Sequence, residues 1–200
     1  MAAQAKATKE VEVTGSAFRI LTVCTGNICR SPVAERLIQA ALGDEVTVAS
    51  AGIHAMVGDP IQPDMVALLD KAGLPAGDFV ARQVTSADVR DADLVLTLTR
   101  QHRAYVVEAE PAALRRTFTL LEFARIVASP GLPSVPPGPV GVRLRALVPV
   151  AARHRTRALA EGSDDVPDPY GRGSDEYELA YVLIRDAVDT IARVARGESG

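Results

Sequence analysis

Cysteine is scarce in this chain: there are two, Cys24 and Cys29, five positions apart, which rules out a disulfide framework. With the usual compartment rule, this points to a reducing, cytoplasmic location. Charge of one sign is also missing. Lys and Arg number 22 against 25 Asp and Glu, and the net charge of −3 argues against nucleic acid as a main partner. No apolar run reaches the length of a membrane span. The stretch Met1–Gly15 carries lysines with no apolar core behind them, so it is not expected to be a secretory signal. Residues 1–17 read as a short disordered tail. There are no internal repeats, and no second Cys or His pair stands at metal-ligand spacing, so neither a metal nor another cofactor is expected. What is present, 48% hydrophobic and 24% charged residues over 200 positions, suits one globular domain with a real core.

Most of the chemistry is concentrated in Cys24-Thr25-Gly26-Asn27-Ile28-Cys29-Arg30, followed by Ser31 and Pro32. The string lies between an apolar, strand-like run (18–23) and an amphipathic run (33–42). A strand, a tight polar loop and a helix start make an anion pocket: loop N–H groups converge and the helix dipole adds positive charge. Arg30 can close it with a two-pronged hydrogen bond to an oxyanion. Cys24 would lie beneath the anion as a nucleophilic thiolate, placed to attack a phosphate ester at phosphorus. Bare Cys-x5-Arg is weak in a chain rich in arginine, and the context carries the weight. Gly26 permits φ > 0 and Asn27 tolerates the left-handed region. Ser31 can cap the helix or hydrogen-bond the thiolate, and Pro32 suits a first turn. The bland alternative is a buried free cysteine in an ordinary βα turn.

Such a reaction needs an acid for the leaving oxygen and then a base for water. Asp168, framed by Pro167 and Pro169, is the candidate. Asp164 and Asp165 are rivals without that frame. Tyr170 can wall the pocket and stack on a phenol ring. His54, His102 and His154 are scattered and read as surface or packing residues. Cys29 reads either as a small buried loop residue or as a thiol that traps oxidised Cys24.

Along the chain, strands are predicted over 18–23, 46–49, 93–98 and 117–120. Helices are predicted over 33–42, 59–72 with Gly73 as the stop, from 85, over 100–109, 121–127 and 175–196. Strands alternating with helices predict an α/β fold, a parallel sheet covered on both faces, with the site at the strands' carboxyl ends. Residues 129–141 hold five prolines and three glycines and read as a loop. The Arg-rich run 142–160 reads as a helix broken at Pro149. It is favoured as a solvated basic insertion over a basic flap beside the site.

The string Val23–Pro32 resembles the signature of the low-molecular-weight protein tyrosine phosphatases. Ser50-Ala51-Gly52, Ala81-Arg82-Gln83, Ala92–Thr97 and Asp168-Pro169-Tyr170 are similar to later segments of that family. The resemblance covers about 18–196, apart from about 128–160. It implies a single domain over 18–200: a three-layer α/β/α sandwich on a four-stranded parallel sheet. It implies hydrolysis of phosphotyrosine in proteins through a phosphocysteine, by a monomer of bacterial type. Cys24, Arg30 and Asp168 would be catalytic. Thr25, Gly26, Asn27, Ile28, Cys29 and Ser31 would bind phosphate, with Tyr170 and His54 as walls and Ser50 supporting Asn27. Two positions depart from the family: Phe79 stands where a histidine often helps hold Asn27, predicting weaker support, and Gly171 stands where a second aromatic often follows Tyr170, predicting a thinner wall.

Two other functions compete. A thiol-dependent arsenate reductase of the same fold needs cysteines downstream, and none follows Cys29. A phosphotyrosine-binding module without turnover would have lost Cys24, Arg30 or Asp168, and all three are present.

Overall fold

The computed structural model describes residues 17–74, 76–155 and 163–198. The tail expected over 1–17 lies outside the described residues, Ala17 apart. Four parallel strands form one sheet: β1 (Phe18–Cys24), β2 (Val46–Gly52), β3 (Leu94–Thr97) and β4 (Thr117–Thr119), in the order β2-β1-β3-β4. β1 is apolar on both faces because it is central and covered twice. Phe18, Ile20 and Cys24 join the larger core, under α1 (Arg30–Leu42), α5 (Leu120–Val127) and α7 (Ser174–Arg196). Leu21 and Val23 point the other way, to a smaller core with Val89 of α3 (Ser86–Asp91) and Val106 of α4 (Arg100–Ala109). This period-two division is the three-layer sandwich.

Most elements follow their local sequence signals. α3 opens with a capping box between Thr85 and Asp88, and α5 with one between Thr119 and Glu122. The helix expected from Asp59 starts later, as α2 (Pro63–Lys71), with Pro63 at its first turn. The preceding residues are committed elsewhere: Gln62 donates its N–H to Ile28 O at 2.8 Å, and Asp59 O accepts from Ala81 N at 2.9 Å. Gly73 ends α2 at φ +71, with Leu74 N bonded back to Leu69 O at 2.9 Å.

Over its described residues, 142–155, the Arg-rich run is neither a solvated insertion nor a flap beside Cys24; residues 156–160 lie outside the described residues. α6 (Val140–His154) is one helix that continues through Pro149 and buries Leu144, Leu147, Val148 and Ala151. A proline there removes one helix hydrogen bond, at about 3 kcal/mol, and burial of those four side chains offsets it. The helix lies under the amino ends of the strands. A Cβ at Gly141 would come within 3.2 Å of Glu45 O, just before β2. Arg145 pairs with Asp93, just before β3, at 2.8 Å and lies over the Phe18 ring at the start of β1. Arg155 donates to Thr117 O at 2.7 Å, pairs with Glu122 and covers the Phe118 ring. Arg143 closes the far end of α7, donating to Ala195 O at 2.7 Å and Val194 O at 3.1 Å. A seven-residue strand such as β1 is about 20 Å long, so α6 and Cys24 stand at opposite poles.

Candidate active site

β1 ends at Cys24 and α1 begins at Arg30, so the loop between them sits at the carboxyl end of a central strand. Its carbonyls are drawn outward. Cys24 O accepts from Ile53 N at 2.9 Å, Thr25 O from His54 N at 3.0 Å, Gly26 O from Met56 N at 3.0 Å, and Ile28 O from Gln62 N at 2.8 Å. In a trans peptide the C=O and the following N–H point in opposite directions. The N–H groups of Thr25, Gly26, Asn27 and Cys29 therefore turn inward, and that of Asn27 reaches Cys24 Sγ at 3.3 Å. This nest, at the start of a helix with no acidic residue in its first turn, is built for an anion.

Asn27 holds the loop's shape. It is fully buried at φ 58, the one non-glycine residue at positive φ among the described residues. Such a conformation persists only when its surroundings impose it. Asn27 Nδ2 donates to Ser31 Oγ and Ser50 Oγ, both at 2.9 Å, and Oδ1 accepts from Arg82 N at 2.9 Å. The weaker support predicted from Phe79 is thus not observed: the Arg82 backbone N–H supplies the third bond, while Phe79 packs against the core. The left-handed residue is Asn27, not Gly26, whose missing Cβ instead leaves room beside Ile28 and Met56. A second close approach explains Gly52, where a Cβ would stand 2.4 Å from Thr25 O. Ser31 does not cap α1; its hydroxyl lies 3.0 Å from Cys24 Sγ.

Arg30 is buried, and its guanidinium faces the acid loop. Nη1 donates to Val166 O at 3.1 Å and Nη2 to Asp168 Oδ2 at 2.6 Å, while Nε is buried with no partner among the described residues. Asp168 accepts at Oδ1 from Tyr170 N at 3.2 Å, and its side chain is 47% exposed. The rivals are engaged elsewhere: Asp164 holds Arg125 at 2.8 Å, and Asp165 accepts from Arg100 N at 2.7 Å. A cleft of about 180 Å³ gathers Cys24, Thr25, Gly26, Ile28, Cys29, Arg30, His54, Met56, Asp168 and Tyr170. Tyr170 is half-exposed at its rim, and His54 meets the Tyr105 ring edge-on at 6.0 Å. Gly171 adopts φ +73 in a turn closed by Arg172 N on Pro169 O, so the second aromatic wall is absent. Met56 stands in the wall instead, from a loop whose sequence carried no signal. Cys29 is buried, and burial with the nearby Cys24 pushes its thiol up to about 12. It stays protonated at neutral pH, and both cysteines are free.

Besides Met56, sequence reading missed a second residue here. His102, expected at the surface or in packing, is buried against the loop with Nε2 2.9 Å from Thr25 Oγ1. Its only sequence signal is its place in the first turn of α4, directly after β3.

An oxyanion nest under a buried arginine, with a thiol at its floor and a carboxylate at its mouth, is the arrangement of a phosphate-handling protein. A family model for low molecular weight phosphotyrosine protein phosphatases matches residues 19–130, and the chain belongs to that family. It is similar to the low molecular weight protein-tyrosine-phosphatase Etp of Escherichia coli K12, 37% identical over 84% of this chain and 88% of that protein. Among solved structures, the tyrosine phosphatase AmsI of Erwinia amylovora superposes with a TM-score of 0.65 at 27% identity, over 89% of this chain and 93% of that one. The YwlE arginine phosphatase of Geobacillus stearothermophilus superposes with a TM-score of 0.68 at 26% identity, over 90% and 94%. No helix among the described residues is long and apolar enough to cross a membrane.

Proposed function

We propose that the protein hydrolyses phosphotyrosine in proteins through a phosphocysteine formed on Cys24. The observation that carries this reading is the meeting of Cys24, Arg30 and Asp168 in one cleft, with loop N–H groups facing inward. Cys24 Sγ attacks phosphorus and the ester P–O bond breaks. Asp168 gives its proton to the departing phenol oxygen. Arg30 and the loop N–H groups of Thr25, Gly26, Asn27, Ile28, Cys29 and Ser31 hold the equatorial oxygens in the transition state. Water then attacks the phosphocysteine, Asp168 takes its proton, and phosphate leaves with Cys24 restored. Ser31 Oγ, 3.0 Å from Cys24 Sγ, stabilises the departing thiolate. Ile28, Met56, His54 and Tyr170 surround a flat ring. Protein substrates rather than nucleic acid, single copies and a cytoplasmic site of action complete the reading, supported by the net charge of −3 and the free cysteines.

Two variants test it. Cys24→Ser abolishes turnover of a phosphotyrosine peptide while still binding inorganic phosphate; substantial residual hydrolysis would sink the assignment. Asp168→Asn slows aryl phosphates with poor leaving groups far more than those with good ones, because only the former need the proton. An equal slowing of all substrates makes Asp168 structural. A phosphoarginine peptide run beside the phosphotyrosine peptide checks the substrate class, and preferential release of phosphate from the former would overturn it.

A further inference from the structure

His102 is buried, yet Nδ1 has no partner among the described residues. The one hydrogen bond of its ring among the described residues is between Nε2 and Thr25 Oγ1, at 2.9 Å. A slot that served packing alone would be better filled by an apolar side chain, since a buried polar group left half-satisfied is costly. Thr25 Oγ1 in turn accepts from Arg30 Nη2 at 3.4 Å. Arginine can only donate, so Thr25 Oγ1 accepts from Arg30, and its hydroxyl proton and second lone pair face the imidazole in either tautomer. Burial and the Arg30 charge push the imidazole down to about 4, so it is neutral and able to accept. The backbone that carries the ring is anchored in the first turn of α4, where Thr99 accepts from His102 N at 3.2 Å.

We propose that His102 is a positioning residue that, through the Thr25 hydroxyl, fixes the Nη2 side of the Arg30 guanidinium for the transition state. The proposal rests on the phosphatase reading. Asp168 shares Nη2 with Thr25, and it leaves Nη2 and takes up a proton from solvent before it protonates the departing oxygen. During that exchange only Val166 O on Nη1 and the His102–Thr25 pair on Nη2 keep the fork in plane. A planar, bidentate donor loses most of its value when it is free to rotate.

A double-mutant cycle with 4-nitrophenyl phosphate tests this. H102L lowers kcat about tenfold, the scale of one hydrogen bond to a charged group, with KM nearly unchanged. T25V gives the same loss, and H102L/T25V loses no more than either single variant. H102Q, whose amide reaches the Nε2 position, recovers most of kcat. Losses that multiply in the double variant, or no recovery in H102Q, overturn the proposal. If H102L shows no cooperative thermal transition, T25V and H102Q decide it: full kcat in T25V or a tenfold loss in H102Q overturns it. Calorimetric binding of inorganic phosphate gives a readout without turnover, weakened in H102L and restored in H102Q. A wild-type protein that binds phosphate but hydrolyses no ester would overturn the phosphatase reading, while the binding series still judges His102.

Discussion

The two poles of the sheet use the same residue type in opposite ways. At the amino ends, Arg143, Arg145 and Arg155 are committed to carbonyls and carboxylates of the fold. At the carboxyl ends, Arg30 keeps a buried Nε without a partner among the described residues and shares Nη2 with a carboxylate that is half-exposed. One pole is satisfied and closes the core; the other holds donors in reserve and is built on a left-handed Asn27. An arginine-rich sequence therefore marks neither binding nor catalysis. What marks the site is an arginine in the cleft beside Cys24 that shares Nη2 with a half-exposed carboxylate; a buried Nε without a partner does not mark it alone, since Arg36 and Arg116 have one too.

Exchanging arginine for a poorer group at each pole breaks the comparison if it is wrong. Arg30→Lys is expected to lower kcat by a hundredfold to a thousandfold, about 2.7–4 kcal/mol of transition-state stabilisation, because an ammonium cannot match two oxygens. Its melting temperature should move little by comparison. Steady-state kinetics and a thermal melt on one preparation check both. Arg143→Ala at the other pole should do the reverse. Losing the contacts that close α7 costs about 1–2 kcal/mol of stability, with kcat unchanged. A kcat loss in that variant would mean that α6 acts on the site after all.

The smallest effect sharpens the contrast through pH. His102 is held neutral, at about 4 against its ordinary 6.5. The unfolded chain then binds the extra proton first as pH falls. The stability it contributes is complete above about 6.5 and is lost as pH falls toward 4, at up to about 1.4 kcal/mol per unit. Denaturant melts across this window should show the slope in the wild type and a shallower one in H102Q. Equal slopes in the two proteins would place the sensitivity elsewhere.

Much of this was legible in the sequence, for local reasons. The β1–loop–α1 unit, the bounds of α4 and the proline-framed Asp168 follow from apolar runs, caps and prolines that act on their neighbours. What could not be read depends on distant packing. Pro149 and its arginines looked like a broken, solvated helix because periodicity does not reveal that the strand ends beneath them needed cover. Gly26 and Asn27 both allowed positive φ, and the sequence did not say which would adopt it. The conformation falls on Asn27, where three partners from separate segments impose it. Met56 gave no signal, since it comes from a loop, and His102 gave only its place in the first turn of α4, a helix whose pattern is otherwise explained by folding.

The acid loop is tied to Arg30 twice, by the Val166 carbonyl and, two residues on, by the Asp168 carboxylate. Val166 is also stitched to the end of β3, its N–H on Leu98 O at 2.8 Å. An arriving dianion that takes Nη2 breaks only the second tie. The acid is then on a leash: two residues of chain let its Cα travel no more than about 7 Å from a fixed post. Substrate entry and release of the carboxylate become one exchange at a single nitrogen, and the freed carboxylate, once it takes up a proton from solvent, remains confined at high effective concentration beside the bond it must help to break.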